Sequence, residues 1–308
     1  MKIYGSIGEL VGGTPLLELS GFEKKHGASA RILAKLEYFN PAGSVKDRVA
    51  REMIEEAERQ GKLKSGYTII EPTSGNTGIG IAAIAVSKGY RVVIVMPDNM
   101  SKERQTLMRA YGAELVLTDG SLGMKGAIEK AQELSEKIEN SIIAGQFTNP
   151  ANPEAHRKTT GPEIYRDTDG QVDIFVAGVG TGGTLTGVGE YLKSQNSSVK
   201  IVAVEPASSA ILSGGKAGGH GIQGIGAGFI PETLNLTVFD ELIAVSDEDA
   251  LTCAREVAVS DGILVGVSSG AALCAAKELA LREENKNKSI VVLLPDTGER
   301  DLSSALFN

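Results

Sequence analysis

Residues 172–195 read VDIFVAGVGTGGTLTGVGEYLKSQ. The first six positions, 172–177, are apolar on both faces, as a strand is when a parallel sheet is covered on both sides. A glycine-rich turn follows at 178–184 and then a helical pattern over 183–195. The same unit of strand, polar or glycine turn and helix recurs along the chain. Strands are expected at 30–38, 67–71, 91–96, 114–118, 141–145, 172–177, 199–205, 241–245 and 289–294. Helices are expected at 44–60, 76–88, 101–110, 123–139, 183–195, 247–260 and 269–284. RVVIVMP (91–97) and SIVVLLP (289–295) share the two-sided apolar character of the opening stretch. This alternation predicts an α/β fold with parallel sheets flanked by helices.

Composition narrows the class. The chain has 308 residues, 42% hydrophobic and 23% charged, with no Trp and 38 Gly. Its core must therefore be built from aliphatic residues, and its backbone must turn tightly or approach closely at many points. A net charge of −8 without a basic block argues against nucleic acid as a partner. No run of about 18 apolar residues offers a membrane span, and MKIYGSIGELVGGTP lacks the apolar core of a signal peptide, so a cytoplasmic setting is expected. Cys253 and Cys274 lie in Ala-rich helical stretches with no metal-ligand spacing, so packing roles are expected and no metal site. His26, His156 and His220 are too scattered for a metal site and read as structural or incidental. Residues 213–229, SGGKAGGHGIQGIGAGF, hold eight glycines in seventeen positions. A loop of that length is functional or disordered, and function is the favoured reading.

Four segments place polar or glycine residues at the end of a strand and the start of a helix, where α/β sheets bind ligands. In NPAGSVKDR (40–48), Ser44 is the expected N-cap, with Asp47 completing an approximate capping box. Lys46 then falls in the first helical turn, where the helix field and burial depress an amine's pKa and favour the neutral form that makes Schiff bases. In TSGNTG (73–78), Thr73, Ser74, Asn76 and Thr77 crowd one helix start, which suits a carboxylate better than a simple cap needs. In GVGTGGT (178–184), Gly180, Thr181, Gly182, Gly183 and Thr184 form a phosphate cradle. The fourth, GVSSGA (266–271), opens a helix with a serine that either caps it or faces a ligand. Gly178, Gly180 and Gly183 also satisfy G-x-G-x-x-G, with Glu205 ending the next strand. A nicotinamide dehydrogenase therefore stands as an alternative, although it leaves Lys46 and TSGNTG unexplained. A non-catalytic binding protein on the same scaffold is a third reading.

Taken in order, NPAGSVKDR, EPTSGNTG, MPDNMSKER, QFTNPANPEAHRKTTGPEI, GVGTGGT, GIQGIGAGFIP, GVSSGA and PDTGER resemble the cysteine synthase family. These are the O-acetylserine sulfhydrylases of pyridoxal-phosphate (PLP) fold type II, related to the tryptophan synthase β chain. The resemblance covers nearly the whole chain. It implies two parallel or mostly parallel twisted sheets flanked by helices. A larger domain of residues 1–35 and 149–308 would bind the PLP phosphate, and a smaller one of 36–148 would carry the substrate-carboxylate loop.

By the same resemblance Lys46 carries PLP and acts as general base. Asn76 bonds the cofactor's 3′-oxygen, Gly180 to Thr184 hold its phosphate, and Ser268 faces its ring nitrogen. Thr73, Ser74, Thr77 and Gln146 hold the amino acid's carboxylate, with 224–228 near the mouth of the site. The implied reaction is β-replacement, O-acetyl-L-serine and sulfide giving L-cysteine and acetate. The implied partners are a second copy in a homodimer and the C-terminal tail of serine acetyltransferase. O-phosphoserine sulfhydrylase and cystathionine β-synthase share most of these motifs. The chain departs from the family's PDTGERYLS at Asp301, in the tyrosine position. That change adds charge beyond the last strand and is expected to alter packing there.

Overall fold

The computed structural model describes residues 3–307. In chain order the regular elements are β1 (Leu16–Glu18), α1 (Ser20–His26), β2 (Arg31–Leu36), α2 (Lys46–Arg59), β3 (Thr68–Pro72), α3 (Asn76–Ser87), β4 (Arg91–Pro97), α4 (Lys102–Ala110), β5 (Glu114–Thr118) and α5 (Gly123–Lys137). They continue with β6 (Ser141–Ile143), α6 (Ala151–Ala155), α7 (Gly161–Asp167), β7 (Ile174–Gly178), α8 (Gly183–Gln195), β8 (Lys200–Pro206), β9 (Glu241–Val245), α9 (Asp247–Asp261), α10 (Val267–Ala280) and β10 (Ser289–Leu294). All nine expected strands and all seven expected helices are present, with ends shifted by a few residues. Unforeseen were β1, α1 and the helical stretch 151–167. That stretch contains Pro153 and Pro162 and a π-helical turn at His156–Thr160, which blur any 3.6-residue period.

Two sheets form. The six-stranded sheet runs β1-β2-β10-β7-β8-β9, and the four-stranded one runs β5-β4-β3-β6. Every pairing is parallel except β1 with β2. The two-sided apolar strands do what that pattern demands. Ile290, Val292 and Leu294 of β10 pack with α9 and α10 on one face, while Val291 and Leu293 pack with α8 on the other. In β4, Val92, Ile94 and Met96 face α2 and α3, and Val93 and Val95 face Ala127 and Ala131 of α5. Each fully buried aliphatic side chain contributes about 1.5–3 kcal/mol against the unfolded chain. Among the described residues no helix is long and apolar enough to cross a membrane.

Two local constraints set where α2 begins. First, α3 crosses it closely at Gly80, where a Cβ would lie 3.1 Å from the Lys46 carbonyl oxygen. Second, Arg48 is wholly buried and its guanidinium is saturated by carboxylates. It donates to Glu37 at 2.7 and 2.9 Å and to Glu163 at 2.7 and 2.7 Å. Lys35 pairs with the same Glu163 at 2.9 Å, and the Thr14 hydroxyl donates to Glu37 at 2.7 Å. The network ties the first turn of α2 to the end of β2, to α7 and to the N-terminal segment.

Removing one partner from a buried ion network leaves its neighbours charged and unpaired. Arg48→Ala should therefore lower the free energy of unfolding by about 3–5 kcal/mol in urea titration, whereas an exposed pair such as Arg31–Glu18 should contribute under about 1 kcal/mol. Burial raises the Glu163 carboxyl, but the hydrogen bonds and charge of Arg48, with Lys35, hold it at about 2. Its stabilisation is present above the usual carboxylate range and is lost as pH falls toward about 2. An Arg48→Ala protein as stable as the parent would show that the network is not a structural anchor.

Candidate active site

The site assembles at the carboxyl ends of strands from both sheets: after β3 and β6 in the smaller, after β7 and β10 in the larger. A cavity of about 320 Å³ lies there. Of the residues singled out from sequence, Lys46, Asn76, Gly180, Thr181, Gly182, Thr184 and Ser268 line it. So do Thr73, Ser74, Thr77 and Gln146. Gly183 backs the cavity without lining it.

Lys46 opens α2. Burial draws its amine down to about 8, against the opposing charges of Asp296 and Glu37. Desolvation disfavours the ammonium more than those carboxylates support it. The expected capping arrangement differs in detail. Val45, not Ser44, is the N-cap. The Ser44 hydroxyl accepts the Lys46 N–H at 3.2 Å, and the Asp47 carboxylate reaches back to the Ala42 N–H at 2.6 Å.

The loop after β3 is held by its own side chains. Thr73 Oγ1 accepts the Gly75 N–H at 3.1 Å. The Thr77 hydroxyl donates to Gln146 Oε1 at 2.6 Å, and Gln146 Nε2 donates to the Pro72 carbonyl at 3.0 Å. Asn76 Nδ2 donates to Asp296 at 2.7 Å, while its Oδ1 accepts from Arg300. Asp296 and Arg300 thus brace the site; both stand in the PDTGER stretch, to which no role was given from sequence.

The turn after β7 packs bare backbone against its neighbours. A Cβ on Gly180 would lie 2.3 Å from the Gly224 carbonyl oxygen, and one on Gly183 would lie 2.0 Å from Asn152 Oδ1. Helix α8 has Gly182 as N-cap and no side-chain cap, so its first N–H groups are not taken up by its own N-cap side chain. Asn152 Nδ2 donates to Thr181 Oγ1 at 2.9 Å, and Asn152 Oδ1 is buried without a partner. Thr184 Oγ1 lies 3.2 Å from Nε2 of His156, which burial first, and Arg48 and Lys46 next, hold well below the usual histidine range. His156 is therefore a neutral structural brace for the turn. The sequence does not reveal which turn it braces, because that depends on α6 crossing beside α8.

Ser268 is buried in the first turn of α10, where Gly266 is the N-cap, so the serine is not the cap. The glycine-rich segment leans over the cavity. Gly218, Gly219, His220 and residues 223–228 line it, and the Gly226 N–H is held by the Val179 carbonyl at 2.9 Å. Asp301 accepts from Arg104 at 2.6 Å, so its charge meets a buried guanidinium on α4. Cys253 and Cys274 are free and face one another between α9 and α10.

Comparison with known proteins fits this geometry. The family described as pyridoxal-phosphate dependent enzyme matches residues 7–296. The chain belongs to that family. A cysteine synthase from Staphylococcus aureus (strain N315) is 53% identical over 308 residues, covering 100% of this chain and 98% of the relative. The crystal structure of cysteine synthase from Entamoeba histolytica superposes with a TM-score of 0.95 at 50% identity, covering 99% of this chain and 91% of that one. An O-acetylserine dependent cystathionine beta-synthase from Helicobacter pylori superposes at 0.94 and 40% identity, with 100% coverage of both. The fold is accordingly PLP fold type II, and the dehydrogenase reading is set aside. Glu205, its acidic residue, is buried and takes the N–H groups of Leu212 at 2.8 Å and Ser213 at 3.0 Å.

The residues fit the family's cofactor. Side chains at Gly180, Gly182 and Gly183 would collide with Gly224, Leu234 and Asn152, so the turn presents bare backbone at the cavity wall, and the half-buried Lys46 amine, drawn down to about 8, lines the same cavity. In the cofactor-free protein, amine-directed labelling of Lys46 should rise with a midpoint near pH 8, well below that of exposed lysines. Mass spectrometry of the Lys46 peptide across a pH series reads this directly. A midpoint above 10 would contradict the burial argument.

Proposed function

We propose that the chain is a cysteine synthase that exchanges the acetoxy group on the β-carbon of O-acetyl-L-serine for sulfide, releasing acetate and L-cysteine. The observation that carries this reading is the meeting of three groups at one cavity: the Lys46 amine, the hydroxyl- and amide-rich loop of 73–77 with Gln146, and the glycine turn of 180–184. When bound, pyridoxal phosphate supplies an electron sink that makes the substrate's α-proton acidic.

The chain's own residues supply the rest. Lys46 anchors the cofactor and, once displaced by the substrate's amine, takes the α-proton at Nζ; an amine titrating near neutrality exchanges protons in both directions. The Thr73 and Ser74 hydroxyls and the Gln146 amide bind the substrate carboxylate with charge-assisted hydrogen bonds, and the Thr77 hydroxyl joins them when its O–H turns from Gln146 Oε1 to the carboxylate. Gly180 to Thr184 hold the phosphate through backbone N–H groups and hydroxyls. Asn76 has one amide N–H beyond its bond to Asp296, which would be given to the cofactor's ring oxygen. The Ser268 hydroxyl would face the ring nitrogen and, being neutral, would not hold a proton there as a carboxylate does.

We further assign residues 1–35 and 149–308 to one body and 36–148 to a second. Each body contributes one half of the site, so a substrate bridging them favours closure by its new hydrogen bonds, about 1.5–3 kcal/mol each. Closure excludes water from the reacting carbon. Arg104 supports an acetate rather than a phosphate leaving group. It lines the cavity, yet it donates to Asp301 at 2.6 Å and Gln223 at 2.9 Å and lies 3.6 Å from Asp296.

The test is steady-state cysteine formation by the holoenzyme. O-acetyl-L-serine should be strongly preferred over O-phospho-L-serine. Lys46→Ala should lower kcat by about 10²–10⁴-fold. Ser74→Ala should weaken amino-acid binding and leave the resting cofactor spectrum intact. Equal use of both activated serines, or near-normal turnover by Lys46→Ala, would refute this assignment.

A further inference from the structure

Glu71 stands at the end of β3, one residue before Pro72, and is wholly buried in the smaller sheet. Its Oε2 accepts the Gly145 N–H at 2.7 Å, and its Oε1 accepts the Gln146 N–H at 3.2 Å. We propose that Glu71 is a positioning residue for substrate recognition, fixing the Gly145–Gln146 backbone so that the Gln146 amide faces the substrate-carboxylate loop. This rests on the reading of Gln146 as a carboxylate ligand.

Three observations carry it. A carboxylate inside a sheet of Ile and Val is unfavourable unless its oxygens are satisfied. Among the described residues no cation pairs with Glu71, so its partners are the two backbone N–H groups and the Gln146 side chain, all on the segment it would position. Burial lifts its carboxyl to about 7, with those N–H groups and the Gln146 side chain pulling the other way. An apolar residue would serve mere packing at this position better. Next, the grip falls on the residue whose side chain spans Pro72 O at 3.0 Å and Thr77 Oγ1 at 2.6 Å, so turning its backbone would swing the amide off the loop. Finally, the same residue's carbonyl accepts from Asn152 Nδ2 at 2.7 Å, and that amide also reaches Thr181 at 2.9 Å. Glu71 therefore orients a segment that touches both the carboxylate loop and the glycine turn.

The two backbone donors require two acceptor oxygens. Glu71→Gln offers one oxygen and sets an NH₂ against the other N–H. The experiment uses the holoenzyme and L-alanine, an amino acid without a β-leaving group, titrated by cofactor absorbance. Glu71→Gln, Gln146→Leu and the double variant are compared with the parent, and hydrogen exchange is read on the peptide spanning 144–148.

Glu71→Gln should weaken L-alanine binding about tenfold, speed exchange at Gly145 and Gln146, and leave cofactor retention unchanged. Its kcat at saturating O-acetylserine should change far less than its KM. The double variant should bind no more weakly than Gln146→Leu alone, because Glu71 acts through Gln146. If Glu71→Gln does not fold, Glu71→Asp, which keeps both oxygens on a shorter arm, is carried through the same cycle with the same expectations. Parent-like L-alanine affinity in the Glu71 variant beside a weakened Gln146→Leu, or additive losses in the double variant, overturns the proposal. Parent-like affinity in Gln146→Leu overturns the carboxylate reading of Gln146 as well.

Discussion

The buried guanidinium of Arg48 is the interaction on which the placement of Lys46 depends. It sits two residues beyond the lysine and satisfies Glu37 and Glu163, which belong to the end of β2 and to α7. The start of α2 is therefore pinned to the larger sheet, although the rest of that helix packs on the smaller one. A helix held at its first turn by saturated charges has little freedom to shift. Lys46, opening that helix, inherits this rigidity, and desolvation of its half-buried side chain draws its amine down to about 8.

From that fixed point the two halves of the site are joined by both neutral and charged hydrogen bonds. Gln146 links Pro72 and Thr77 on one side, and its carbonyl passes through Asn152 to Thr181 on the other. Asn76 adds a second link through Asp296 and Arg300. The buried Arg104–Asp301 pair at 2.6 Å adds a charged link between the same regions.

Much of this was legible from the sequence, for identifiable reasons. β4, β7 and β10 are apolar on both faces, and only a sheet covered on both sides accepts such strands. The glycine turn at 178–184 and the loop at 73–78 follow strands directly, and the sequence order alone places them at helix starts. Asn152, His156, Glu71 and Asp296 were not legible as site residues. Their importance arises from tertiary crossings: α6 against α8, the β3 end against the β6 end, and the segment after β10 against α3. Nothing in local spacing encodes those approaches. The Ser44 cap failed because a strand-end bridge to Asp296 holds Ser44 in place and delays the helix by two residues. Asp301 reads in sequence as added charge, yet in the fold it is half of a buried pair with Arg104.

The central claim is that the fold holds one lysine, Lys46, as the cofactor's anchor. Reductive trapping tests it most directly: the holoenzyme is treated with borohydride, digested and mapped by mass spectrometry. The account predicts a single pyridoxyl-bearing peptide, the one containing Lys46. A pyridoxyl group on any other lysine, or none on the protein at all, would contradict it.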